Sequence, residues 1–190
     1  MSDDLLPATR GAGPLLQRDY WAVLAGSPLS PVELIAKVKE RFCVLPPASL
    51  VGFTAEQGIA RGARLDIVIT PGQRCAVTVI HEDEQSLTLG TLAGHPEAGR
   101  ITFGAYRNPA ADVIFHIRSR ARSTTTLKRI GFLAIGDAMQ TNTWTDFIRN
   151  VAALAGASIA GAIHADTETV EEGPEDDEPL HAPTFRAVGG

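Results

Sequence analysis

The sequence of 190 residues has only two cysteines, Cys43 and Cys75. Two isolated thiols make neither a disulfide framework nor a metal-ligand spacing, and both read as buried small hydrophobes. Histidine is scarce as well, and the scatter of Cys43, Cys75, His81 and His164 holds no ligand motif, so neither a metal nor a cofactor is expected. No nucleophile stands at a telling distance from a base. No apolar run can cross a bilayer: the most apolar window, Val151 to Ile163, falls short of the roughly 20 residues needed and reads as the end of a helix. The start, Met1 to Pro7, lacks the basic residues and apolar run of a secretory signal, which favours the cytoplasm. Positive charge is in deficit, with 17 Lys and Arg against 22 Asp and Glu and a net charge of -5. Together with the absence of aromatics interleaved with the basic residues, this argues against a nucleic-acid partner.

What remains has the composition of one soluble domain, with 44% hydrophobic and 21% charged residues. The acidity is concentrated at one end: from Asp166 onward there are eight acidic residues and one basic residue, Arg186. That stretch is too polar to offset its ordering entropy. The expected organisation is therefore a loose leader over residues 1–17, a folded domain over 18–160 and an acidic disordered tail over 165–190.

Within the domain, the longest helical pattern runs from Thr124 to Gly156. Leu127, Ile130, Ala134, Ala138, Thr141, Trp144, Ile148, Val151 and Ala155 recur at three- and four-residue spacing, an apolar stripe on one helical face. Thr124, Thr125 or Thr126 can cap it, and Gly136 marks a place for a break or kink.

Upstream, Asp19 to Leu24 reads as a strand ended by Gly26 and Pro28. Ser30-Pro31-Val32-Glu33 then combines an N-cap serine, a proline at the first helical position and a glutamate placed for a capping box. Val32, Ile35, Val38 and Phe42 form that helix's stripe, and Ala48 to Gly58 reads as a connector with room for a short helix. Five strand-like segments follow in a row, separated by short turns, which argues for an antiparallel meander. The last, Ala111 to Arg122, alternates Val113, Phe115, Ile117 and Ser119 with Ile114, His116, Arg118, Arg120 and Arg122, so one face is expected in the core and the other in water.

Strand, helix, several antiparallel strands and a long closing helix is the order of an α+β helix-grip fold, a curved antiparallel sheet wrapped around its C-terminal helix with a cavity between. Gly90-Thr91-Leu92-Ala93-Gly94-His95-Pro96-Glu97-Ala98-Gly99 resembles the signature of the DUF1990 family, and Met139-Gln140 resembles that family's downstream pattern. The resemblance covers roughly Arg61 to Val151. That family is similar to the START-like superfamily, which implies binding of an apolar small molecule. In place of the acidic residues that usually follow the second motif glycine stand Arg100 and Ile101, so any role of those acids does not carry over.

The candidate site follows. Phe103, Phe115, Ile117, Met139 and Trp144 are the pocket candidates, with Gly94, His95, Pro96, Glu97 and Gly99 as the motif turn. His95 and Glu97 admit two readings: hydrogen-bonding within a turn shaped by the glycines and Pro96, or a general acid and base at a pocket mouth. Arg118, Arg120 and Arg122, continued by Lys128 and Arg129, read as the solvent face of a one-sided sheet more simply than as a phosphate site. Three functions stay open: a non-enzymatic carrier or sensor of an apolar small molecule, a cyclase- or hydrolase-type enzyme using His95 and Glu97, and an interaction protein acting through its acidic tail.

Overall fold

In the computed structural model the described residues are 4–124 and 128–173, with 128–138 described by backbone alone. The elements are β1 (Ala12–Ala25), α1 (Pro31–Arg41), β2 (Val51–Thr54), β3 (Arg64–Ile69), β4 (Gln73–Glu82), β5 (Ser86–Thr91), β6 (Glu97–Arg107), β7 (Val113–Ser123), α2 (Lys128–Ala155) and β8 (Ser158–Val170). All eight strands join one antiparallel sheet in the order β2-β3-β4-β5-β6-β7-β1-β8. The sheet curves around α2. The fold is a helix grip.

Each early element forms for a local reason. Ser30 Oγ accepts from the Glu33 amide at 3.3 Å and Glu33 Oε2 accepts from the Ser30 amide at 2.8 Å, closing the capping box that starts α1. Leu34, Ile35 and Val38 are buried beneath it, whereas Val32, expected in the stripe, is exposed. The strands of the meander fall where alternation put them. Most of the few aromatic residues gather where both helices meet the sheet: Phe42 and Phe103 cross edge to face at 5.0 Å, and Phe147 of α2 lies 5.2 Å from Phe103. Phe147, outside the expected stripe, is fully buried beside Ile148 and Val151. Asn150 Nδ2 donates to Leu45 O at 2.7 Å and ties α2 to the segment after α1.

Five further expectations change. The leader is not loose through residue 17: a 3-10 turn at Ala8–Arg10 precedes β1, which starts at Ala12, and Leu15 is buried. Pro14 disguised this strand, and it is tolerated because the β1–β7 register shifts between Ala12 and Leu16. Ala48 to Gly58 holds β2 rather than a helix. The window Val151 to Ile163 is not one helix end, since α2 stops at Ala155, Gly156 adopts φ +66° and β8 begins at Ser158. The acidic tail is ordered to Val170, where Leu15↔Val170 through Asp19↔Asp166 pair β8 with β1. Backbone pairing holds it, because its side chains are mostly exposed and leave no apolar signal. Thr125, Thr126 and residues 174–190 lie outside the described residues.

The fifth change concerns the even-numbered face of β7. His116 is fully buried and Arg118 retains 19% side-chain exposure, so this face is not simply wet. Asp19 Oδ1 accepts from His116 Nε2 and from Arg118 Nε, both at 2.6 Å. With Nε2 carrying the proton, Nδ1 is left to accept from the Tyr106 hydroxyl at 3.2 Å. Gln17 Nε2 reaches Asp19 Oδ2 at 3.0 Å and Glu168 Oε1 at 2.9 Å, while Arg120 Nη1 donates to Gln17 Oε1 at 3.3 Å. The network thus spans β7, β1 and β8. Burial pushes the His116 imidazole down, against an upward pull from Asp19. For Asp19, burial alone would raise the carboxyl, but hydrogen bonds and charge from His116 and Arg118 hold it below the ordinary range.

Candidate functional site

Between the concave face of the sheet and α2 lies a cavity of about 120 Å³. Its composition changes across the sheet. From β2, β3 and β4 come Val51, Phe53, Ile67, Ile69 and Val77, all apolar. From β5, β6 and β7 come Leu89, Ile101 and Ala121 together with Thr91, Glu97 and Ser119. Met139, Gln140, Thr143 and Trp144 of α2 close it, and His95 and Pro96 of the motif turn stand at the wall.

The turn owes its path to its glycines. Gly94 has φ +91°, and Gly99 has φ +150°. A Cβ at Gly99 would run into the carbonyl oxygen of Arg120 and the Ala121 side chain, so the close approach of β6 to β7 there requires glycine. Thr91 Oγ1 accepts from the Gly99 amide at 2.9 Å and donates to Leu6 O at 2.8 Å. The turn is thereby fastened to the N-terminal segment, whose Leu5 bridges to Leu92.

His95 and Glu97 sit side by side, but their side chains serve different partners. His95 Nδ1 lies 2.9 Å from the Glu97 carbonyl oxygen and 3.1 Å from the Glu97 amide, so the imidazole is folded onto the backbone of its own turn. The Glu97 carboxylate instead accepts from Arg18 Nη1 at 3.4 Å through Oε1 and from Gln140 Nε2 at 2.7 Å through Oε2. Arg18 keeps only 4% side-chain exposure. This clamp joins β1, β6 and α2, and its two charges offset one another inside the protein.

The remaining candidates divide. Met139 and Trp144 line the cavity. Phe103 is one layer back, with Trp144 edge-on at 5.6 Å. Phe115 and Ile117 are fully buried in the packed core, and Phe115 is stacked on Phe147 at 6.1 Å. Reasoning from the sequence missed Arg18, Gln140, Ser119 and Thr143. Gln140 was within reach, because it belongs to the Met139-Gln140 pair, whereas Arg18 stood just outside the supposed leader, ahead of the strand read from Asp19, with no local signal. Among the described residues no group of three His, Cys, Asp or Glu is placed to hold a metal, and no helix is long and apolar enough to cross a membrane.

Comparison with known proteins places the chain. The pattern of the family described as domain of unknown function DUF1990 matches residues 44–150. None of the curated proteins matches the chain in sequence. Among solved structures, a point mutant of norcoclaurine synthase from Thalictrum flavum, in complex with a transition-state analogue, is similar at 10% identity and TM-score 0.56, covering 76% of this chain and 96% of that one. The same plant's norcoclaurine synthase in complex with dopamine and hydroxybenzaldehyde is similar at 10% identity and TM-score 0.52, covering 77% and 88%. The di-domain ARO/CYC StfQ from the steffimycin biosynthetic pathway is similar at 11% identity and TM-score 0.54, covering 75% of this chain. This chain spans about half, 52%, of that di-domain protein. At such identities the likeness is one of fold.

Proposed function

The chain belongs to the DUF1990 family, whose matched region, residues 44–150, carries most of the cavity wall, and from that wall we propose that the protein binds a small, predominantly apolar molecule without converting it. The observation that carries this reading is the cavity between sheet and α2, apolar over β2, β3 and β4 and about 120 Å³ in volume. That is smaller than the roughly 300–1,000 Å³ of drug-sized sites, which favours a compact ligand. A carrier or sensor is favoured over an enzyme by the partners of His95 and Glu97. The imidazole is engaged with backbone and the carboxylate with Arg18 and Gln140, an arrangement that shapes the turn rather than leaving a proton relay aimed into the cavity.

Native mass spectrometry of the protein from its own host should find a retained small molecule. Adding that molecule at a hundredfold excess over its dissociation constant should stabilise the fold by about 2.7 kcal/mol. Loss of all mass beyond the polypeptide, together with no thermal shift from any apolar compound, would remove the proposal. Turnover of the ligand that vanishes in folded His95→Asn and Glu97→Gln variants would replace the carrier by an enzyme.

A further inference from the structure

Several polar atoms of the cavity wall are already engaged within the protein. Thr91 Oγ1 is engaged by Gly99 and Leu6. Both oxygens of Glu97 and the amide nitrogen of Gln140 are used in the clamp. Ser119 is different. It is 6% exposed, it lines the cavity, and its Oγ has no hydrogen-bond partner among the described residues. In the sheet register it stands between Ile101 of β6 and Arg18 of β1, at the polar side of the cavity. A buried hydroxyl left unpaired costs free energy that a partner arriving with the ligand would recover.

We propose that the ligand is a small neutral amphiphile, whose hydrocarbon or aromatic body lies against the apolar wall of β2, β3 and β4 and whose single hydroxyl or carbonyl oxygen bonds to Ser119 Oγ. This rests on the binding function proposed above and names its chemical class. A serine hydroxyl can donate to a carbonyl or accept from an alcohol, so both heads fit. Charged heads do not. Arg18 and Glu97 already pair with one another, so a head of either sign would meet one attraction and one repulsion and would keep the cost of leaving water uncompensated. Arg100, the other ionic residue at the wall, stands opposite Arg120 in the β6–β7 register, with the even-numbered set of β7.

The test is titration calorimetry on the full chain with 1-octanol, octanoate and octylammonium, and with naphthalene as a body that has no head. Octanol should bind more tightly than either ion. Ser119→Ala should weaken octanol roughly tenfold, a change of hydrogen-bond size, and leave naphthalene unchanged. Melting of the ligand-free variant supplies an independent readout: removing an unpaired hydroxyl should leave the melting temperature equal or higher, whereas a hydroxyl satisfied by water or protein would lower it. Octanol affinity unchanged by Ser119→Ala, equal losses for octanol and naphthalene, or tighter binding of either ion would each overturn the head-group assignment while leaving the binding function standing. If naphthalene and octanol both fail to bind the wild-type protein, the binding function falls and the assignment falls with it.

Discussion

The two faces of β7 are built from the same eleven residues and do different things. Val113, Phe115 and Ile117 enter a core where α2 supplies Phe147, Ile148 and Val151. Ile114 is also buried, but the residues beyond it, His116, Arg118, Arg120 and Arg122, feed a polar network with Asp19, Gln17 and the end of β8. The inner face is held by area removed from water, roughly 25 cal/mol per Å². The outer face is held mainly by hydrogen bonds centred on Asp19, and its stability is conditional on those partners being present. Burial therefore cannot be read from polarity alone: His116 is as buried as Phe115.

The largest effect should come from the inner face. Phe115→Ala removes a fully buried ring that stacks on Phe147, and it should cost about 3–5 kcal/mol. Urea denaturation gives the figure directly. A loss below about 1 kcal/mol would mean that the inner face collapses around the void and that the packing contrast between the faces is wrong.

Asp19→Asn attacks the outer face at its centre, since one carboxylate oxygen serves both His116 and Arg118. The expected loss is about 1–3 kcal/mol, the usual range for leaving buried polar groups unsatisfied. A neutral effect would show that water replaces the carboxylate and that this face is as wet as its sequence suggests.

That suggestion defines how far the sequence could be read. Alternation along β7 separated the two faces correctly, and Ser30 to Glu33 announced α1, because both signals are local. Arg18 and Asp19 were not legible: each satisfies a partner some 80 to 100 residues away, Glu97 at 79 and His116 at 97, and nothing local marks that distance. β8 escaped for a related reason, as an edge strand with exposed side chains is specified by its pairing with β1 rather than by periodicity. In the site, the Gly94 to Gly99 turn was visible from its glycines. Phe115 and Ile117 read as pocket residues in the sequence but pack in the core, because a sequence does not distinguish a wall facing a void from one facing a helix.

The pH dependence sharpens the contrast further. His116 has a folded pKa below its ordinary value because it is buried, so the unfolded chain takes up a proton that the folded chain resists. Stability should therefore fall as pH drops through about 6.5. Asp19, whose folded pKa is lowered, adds a second loss once pH falls below about 3.9 and toward its folded pKa. His116→Asn should flatten the first limb and also weaken the second, because His116 is one of the two groups that hold the Asp19 carboxyl down. Wild-type and variant stability profiles that run parallel between pH 7 and 5 would mean that His116 takes up its proton as readily in the folded chain as in the unfolded one and that the outer face tolerates charge.

The smallest effect should lie where the outer face opens to solvent. Glu172, just past β8, places Oε2 3.2 Å from Arg122 Nη2, and its side chain is 43% exposed. An exposed pair of this kind contributes about 0.2–1 kcal/mol before salt screens it. Glu172→Ala should therefore shift the urea midpoint barely at all, and the small difference should disappear in about 0.5 M salt, where screening reaches only a few ångströms. Asp19→Asn should keep most of its cost in the same salt, because its partners are enclosed. The pair of measurements separates a buried polar layer from an ordinary charged surface. If both variants lost their effect together in salt, the network on β7 would be surface electrostatics throughout.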